Sequence, residues 1–315
     1  MINGGMPLQF VASRHGQRGR PVSPERIARM LDIVEVVEKQ TIAITARHLF
    51  YLLTMRPGAR LPILKTEAAY DRVCEDLLAL RRSGDVAWSA ITDGTRIKTR
   101  GVGYGSLGEA AEEWQRSYRR DIWRTNPATC EVWTESRGLL GTINEVAGEY
   151  GVTTLGVGGF NSATIGWETA QDAKKAAARG QDFYIFHFGD YDPSGRLIGS
   201  TAEKHIREHL TESEQEWFTF DVCALTAEQV RRYDLPTAPP KLDKKTGRPA
   251  GGHAKSWDGG VTELDALDPR ILQRLVRAEI TSIIDDHALA AVKVAEESER
   301  DTLERIAAAM HGSAT

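Results

Sequence analysis

Cysteine is scarce in this chain, and the way it is spread excludes several architectures. Three cysteines, Cys74, Cys130 and Cys223, are scattered through 315 residues. With no CxxC pair and no zinc-ligand spacing among them, neither a disulfide framework nor a structural zinc site is expected. Long apolar runs are missing too, and none approaches the ~20 residues that span a bilayer. Residues 1–10 lack the basic start and apolar stretch of a secretory signal, so a cytoplasmic, DNA-associated location is expected. The eight histidines contain no HExxH or other paired ligand spacing, and His187 and His205 are expected on the surface of a strand and a helix. No P-loop is present. Gly156-Val157-Gly158-Gly159-Phe160-Asn161 lacks the Lys-Ser/Thr that such a loop needs and reads as a tight turn beside a cleft.

Net charge is small, −4, but unevenly placed. Residues 1–130 carry 20 Lys/Arg against 14 Asp/Glu, and the remainder carries 20 against 30. A basic front and an acidic back suit a module that grips DNA joined to one rich in carboxylates. Arg81/Arg82, Arg96/Lys98/Arg100 and Arg116/Arg119/Arg120/Arg124 either line a DNA channel through phosphate contacts or are solvated helix faces.

The pattern of elements divides the chain. Residues 1–22, with Arg14, Arg18 and Arg20, read as a flexible basic arm. Ser23-Pro24-Glu25 opens a helix; a second starts near Thr45, and a third covers residues 67–83 and stops at Gly84. Residues 85–88 and Ile91 read as a strand. Three helices and a strand in about seventy residues suit a winged-helix module over 23–125. After Pro127 short β runs alternate with helices at 131–133, 139–150, 152–155, 163–179, 183–188 and 195–210. Such alternation implies an α/β domain with a parallel sheet covered on both faces, over 126–315 with a helical C-terminal extension. Residues 236–260 form a long loop rich in Pro, Gly and Lys.

Two strand ends carry acids. The apolar run Phe183-Tyr184-Ile185-Phe186-His187-Phe188 leads into Gly189-Asp190-Tyr191-Asp192-Pro193-Ser194-Gly195. Residues two apart in extended chain point the same way, so Asp190 and Asp192 face one point at the strand's C-terminal edge. Ligands sit at that edge in open parallel sheets. Convergent carboxylates repel, and a hard cation such as Mg²⁺ relieves the repulsion. Upstream, Cys130-Glu131-Val132-Trp133-Thr134-Glu135 is a second strand ending in an acid, and Glu135 suits a metal ligand or a general acid/base. The competing role for Asp192 is a helix cap before Pro193.

A strand-end Glu followed by a strand-end DxDPxG resembles the Toprim domain of the topoisomerase VI A subunit and its meiotic double-strand-break relative. Thr45-Ala46-Arg47-His48-Leu49-Phe50-Tyr51 is similar to that family's T-x-R-x-(I/L)-(Y/F)-Y segment, and Val261-Thr262-Glu263-Leu264-Asp265-Ala266-Leu267-Asp268-Pro269 to its segment after the long loop. The run from Tyr70 through Arg81-Arg82, Gly84 and Trp88 to Asp93-x-Thr95-Arg96 is closest to small phage- or plasmid-associated members. The resemblance implies a Mg²⁺ site at Glu135, Asp190 and Asp192. It also implies that Tyr51 is the nucleophile forming a 5′-phosphotyrosyl link to double-stranded DNA, with Arg47, one helical turn away, on the scissile phosphate. It further implies a homodimer in which each tyrosine reaches the partner's metal site, and a separate ATPase subunit for strand passage. Two positions depart from the family: Ser136 stands where a Lys is common, with Arg137 the next cation, and His48 stands where an acid follows the Arg. Read from the residues alone, Tyr51 lies in the apolar run 49–53 and suits a core residue equally well. A Toprim nuclease of the plasmid-defence or overcoming-lysogenization type, acting through water, and a non-catalytic DNA-binding protein are the alternatives.

Overall fold

The computed structural model describes residues 22–92, 103–158, 163–239, 257 and 260–312. The arm, the Arg96/Lys98/Arg100 cluster, Gly159-Phe160-Asn161 and most of the 236–260 loop lie outside the described residues.

Ser23 opens α1 (Pro24–Glu38), its hydroxyl accepting from the Arg26 amide while Pro24 occupies the first turn. Thr45 ends the short strand β1 (Ile44–Thr45) and caps α2 (Ala46–Thr54) by accepting from the His48 amide at 3.1 Å. α3 (Glu67–Ser83) stops at Gly84, which takes the left-handed φ of 87° that only glycine adopts without strain. The strand expected at 85–88 does not form. The Val86 amide turns back to the Leu80 carbonyl, and Trp88–Ala90 make a single 3₁₀ turn. The Trp88 ring lies 4.2 Å under the Arg81 guanidinium, whose Nη2 donates to the Trp88 carbonyl at 2.9 Å. These contacts win over extension, and pairing starts only at β2 (Ile91–Thr92), parallel to β1.

Helices α1–α3 share a core built on Met30, Ile33, Leu49, Phe50, Val73 and Leu80, each contributing roughly 1.5–3 kcal/mol by leaving water. Buried aspartates brace it: Asp76 takes Arg26 at 2.6 Å and Arg29 at 2.7 Å, and Asp32 takes Arg56 at 3.2 Å and Arg60 at 2.7 Å.

After α4 (Leu107–Ser117) the chain alternates as expected: β3 (Ala128–Thr134), α5 (Leu140–Ala147), β4 (Thr153–Gly156), α6 (Ala163–Ala177), β5 (Asp182–Phe188) and α7 (Pro193–Arg207). Then come α8 (Glu212–Gln215), β6 (Phe218–Ala224), α9 (Ala227–Arg232), α10 (Pro269–Ser282) and α11 (Asp286–Gly312). Strands β3–β6 form one all-parallel sheet in the order β4-β3-β5-β6. Alternate residues feed opposite faces. Val132, Phe186 and Phe188 pack with Leu272 and Val276 of α10, while Trp133 and Ile185 pack with Ala170, Ala173, Ala202 and Ile206 of α6 and α7. The molecule is thus a mixed α/β fold with parallel sheets. Helix α4 packs on α11, with Tyr118 donating to the Glu299 carboxylate at 2.6 Å and the Arg120 amide to Glu296 at 2.9 Å. Among the described residues, no helix is long and apolar enough to cross a membrane.

Candidate functional site

Strands β3 and β5 pair in register with Thr134 opposite Phe188, so the residues after each leave the sheet at one edge. The Glu135 amide extends the ladder by donating to the Phe188 carbonyl at 3.2 Å. This brings two of the sequence-predicted acids into contact: Glu135 Oε2 accepts from the Asp190 amide at 3.1 Å. Glu135 Oε1 is buried with no hydrogen-bond partner. Asp190 Oδ1 accepts from the Leu264 amide at 2.8 Å. Asp192 follows two residues on and caps α7, its Oδ1 taking the Gly195 amide at 2.5 Å. Among the described residues, no group of three or more His, Cys, Asp and Glu side chains is drawn up at metal-ligand spacing.

Burial pushes the Glu135 carboxyl up to about 7, opposed by the Asp190 amide and reinforced by the Asp192 charge. Burial likewise pushes Asp190 up to about 7, with Glu135, Glu263 and Asp192 adding to the rise and the Leu264 amide opposing it. Two half-buried carboxyls, both raised and one with an orphaned oxygen, fit a hard divalent cation. Mg²⁺ needs only one or two carboxylates and completes its octahedron with water and phosphate oxygens.

The sign of the resulting pH dependence is fixed. A carboxyl whose folded value lies above its unfolded value of about 4 stabilises the fold at low pH and loses that contribution as pH rises through about 7. In chelator, the wild type is expected to lose on the order of 5 kcal/mol relative to a Glu135→Gln/Asp190→Asn variant between pH 5 and pH 8. Added Mg²⁺ should return most of that loss to the wild type alone. Urea unfolding at the two pH values reads both effects, and referring the wild type to the variant cancels titrations elsewhere.

Gly195 leaves room for the acids. A Cβ there would lie 2.6 Å from the Asp190 carbonyl oxygen and 3.2 Å from Glu135 Oε1. Gly195→Ala is therefore expected to cost about 1–3 kcal/mol in urea unfolding by forcing the Asp190 backbone and the Glu135 carboxylate apart. Mn²⁺ affinity, followed by calorimetry, should fall with it.

The helical layer faces the same edge. Arg47 and Tyr51 of α2 line a cavity of about 580 Å³ together with Asp190 and Asp192 of the same chain. Tyr51 is 1% exposed. Its phenol is raised well above the ordinary value by burial first and then by the nearby Glu263 carboxylate; Arg47 opposes the rise. Arg47 Nη1 lies 3.5 Å from Glu263 Oε2, and the Lys65 ammonium sits 4.8 Å from the Tyr51 ring centroid. An adjoining cavity of about 770 Å³ carries Glu135 and Asp190 on the sheet side and Arg47, Arg81 and Arg137 among its cationic lining.

Glu263 and Asp265, for which sequence reading proposed no role, belong to this cleft. Their signal is a second pair of acids two residues apart, directly after the long loop. Asp265 is buried and raised by that burial, opposed by His48, Ser136 and Arg47. His48 is buried in turn, with Nε2 3.0 Å from the Leu267 carbonyl, and burial lowers it. His187, expected on the surface, is 2% exposed, and burial alone pushes it down to about 4. Its Cε1 and the Glu135 carboxyl carbon both crowd the place a Cβ on Gly189 would take, because β5 is covered on both faces. Of the glycine run 156–161, residues 156–158 are described. The Val157 and Gly158 amides donate to the Thr134 and Glu135 carbonyls, and the Arg137 guanidinium rests against Gly158, whose φ is 52°. Arg116 and Arg120, read either as channel-lining or as solvated helix faces, form exposed ion pairs with Glu113 and Glu299.

Comparisons with protein-family models, with characterised proteins and with solved structures find no match to this chain.

Proposed function

We propose that this chain cleaves double-stranded DNA in the manner of a topoisomerase VI A subunit, with α1–α3 and β1–β2 as a winged-helix module and the four-stranded sheet as a Toprim module. The observation that carries this reading is the cavity that Tyr51, Arg47, Asp190 and Asp192 line together, with Glu135 bonded to the Asp190 amide at its edge. Glu135 and Asp190 would hold Mg²⁺, with Asp192 close by. A bound cation there would neutralise charge on the leaving 3′-oxygen and on the phosphate. Arg47 draws in the scissile phosphate, and its fork of donors suits two phosphate oxygens at once. Tyr51 Oη attacks phosphorus and becomes the 5′-phosphotyrosyl link. Arg81, Arg137 and Lys65 supply further phosphate contacts along the cleft. A homodimer on duplex DNA and a separate ATP-hydrolysing subunit belong to the same reading.

The test is supercoiled plasmid incubated with Mg²⁺ or Mn²⁺, then stopped with detergent, with and without protease. Breaks whose 5′ ends migrate freely only after proteolysis support the transesterification. Intact plasmid under every divalent cation overturns the reading. A second reading, hydrolysis by water at the same carboxylates, is favoured by one observation, the 1% exposure of Tyr51. It predicts breaks with free 5′ ends whether or not protease is added.

A further inference from the structure

We infer that His48 is a positioning residue that sets the helix carrying Arg47 and Tyr51 against the sheet edge carrying Asp190. The inference rests on the reading above for the work of those three side chains. His48 lies between Arg47 and Tyr51 in α2, is 1% exposed and lines neither cavity. Its Nε2 stands 3.0 Å from the buried carbonyl oxygen of Leu267. A carbonyl only accepts, so Nε2 is the donor. The other ring nitrogen, Nδ1, is buried with no hydrogen-bond partner among the described residues. Packing alone is better served by leucine, which would fill similar space and orphan no nitrogen. What the imidazole adds is the Nε2 bond.

That bond joins two segments that each hold one half of the site. On the helical side, the His48 amide donates to the Thr45 hydroxyl at 3.1 Å, and Thr45 pairs with Thr92 between β1 and β2. The first turn of α2 is thus held at its backbone and through the His48 ring. On the sheet side, Leu267 follows the 3₁₀ turn Leu264–Ala266 and returns its amide to the Leu264 carbonyl at 3.0 Å. The Leu264 amide in turn donates to Asp190 Oδ1 at 2.8 Å, and Thr262 exchanges backbone hydrogen bonds with Tyr191. From Arg47 to Asp190 the path is therefore one neighbouring residue, one buried side-chain bond, one tight turn and one amide–carboxylate bond. Two polar contacts beside it, Arg47 Nη1 to Glu263 at 3.5 Å and Arg270 Nη2 to the Lys39 carbonyl at 3.1 Å, are open to solvent, where water competes for the same groups.

Transesterification needs the Tyr51 hydroxyl, the Arg47 guanidinium and the carboxylate edge to meet one phosphate together. A misplacement of about 1 Å, even from a change remote from the chemistry, costs roughly 10²-fold in rate. His48 acts on that spacing through α2 and the 264–267 turn, without touching DNA or the cation.

The experiment uses the full chain as His48→Leu, His48→Asn and His48→Gln, each with supercoiled plasmid and Mg²⁺. Glutamine carries an N–H to the place of Nε2, whereas asparagine is too short to reach the Leu267 carbonyl. Cleavage at saturating protein should fall about 10²-fold in His48→Leu and His48→Asn, and return to within about tenfold of wild type in His48→Gln. The protein concentration that gives half the maximal rate should stay within about threefold of wild type in all three, the pattern of lost alignment rather than of a lost DNA contact. Independently of cleavage, hydrogen exchange of the bonded amides in 262–267 should quicken at least about tenfold in His48→Leu and His48→Asn and stay near wild type in His48→Gln. Wild-type cleavage in His48→Leu, a loss that His48→Gln leaves unchanged, or exchange at 262–267 unaltered in all three variants overturns the assignment. The parent reading fails separately, by undiminished cleavage in Tyr51→Phe, in which His48 is intact.

Discussion

Replacing Asp190 by asparagine is expected to abolish cleavage while making the metal-free protein more stable. The two effects have one cause. Asparagine keeps a carbonyl oxygen where Asp190 Oδ1 accepts the Leu264 amide, so that bond is retained. What goes is a charge that burial opposes, in a carboxyl raised to about 7 by that burial and by its neighbours Glu135, Glu263 and Asp192. At pH 8 in chelator the variant escapes the cost of that buried charge, and its urea midpoint should rise. Activity should move the opposite way. Loss of one preorganised charged contact costs roughly 10²–10³-fold and weakened cation binding roughly another 10–100-fold, so cleavage should drop by at least about 10³. A residue conserving only structure gives the reverse pairing, lower stability with cleavage kept.

The second large effect concerns Tyr51. Its removal as Tyr51→Phe leaves the ring packed against Phe50, 5.8 Å between centroids, and leaves Glu263 paired with Arg47. Folding should therefore be unchanged. Loss of the attacking oxygen is expected to reduce cleavage by about 10⁴-fold or more, on the scale of other nucleophile deletions, and to eliminate the covalent adduct. Because Tyr51 lines a cavity with Asp190 and Asp192 of its own chain, co-expressing Tyr51→Phe with Asp190→Asn should restore nothing. Each chain would then lack one half of its own site. If the tyrosine served a partner's acids, one site in each mixed dimer would be whole, and plasmid nicking would reappear at a substantial fraction of the wild-type rate.

What could be read ahead of the structure was local. Glu135 and the Asp190-Tyr191-Asp192-Pro193 run were legible because strand, acid and helix start lie within a few residues, and the alternation of Val132/Trp133 and Ile185/Phe186 fixes two buried faces. The capping of α7 by Asp192 was also legible from Pro193, although it competes with a ligand role for the same oxygen. β6 escaped although Phe218, Phe220, Val222 and Ala224 alternate. It is an edge strand whose Asp221 and Val222 stay exposed, which breaks the continuous apolar signature of its neighbours. Residues 85–88 misled in the other direction, because their extended appearance takes no account of Arg81 folding over Trp88. For Glu263 and Asp265 the only local signal was their spacing of two after the long loop, which does not place them in the cleft. Glu263 precedes and Asp265 lies within the 3₁₀ turn Leu264–Ala266 after a long loop, and the tertiary bonds of Thr262 and Leu264 to residues 191 and 190 bring them to Arg47 and His48.

The most direct measurement is anomalous diffraction from crystals of the full chain soaked in Mn²⁺. A single strong peak within about 2.0–2.3 Å of oxygens from both Glu135 and Asp190, with Glu135 Oε1 no longer unpartnered, is the predicted result. Density absent from that edge at millimolar Mn²⁺, with the Glu135 and Asp190 carboxylates still closed on the Asp190 and Leu264 amides, would contradict the account.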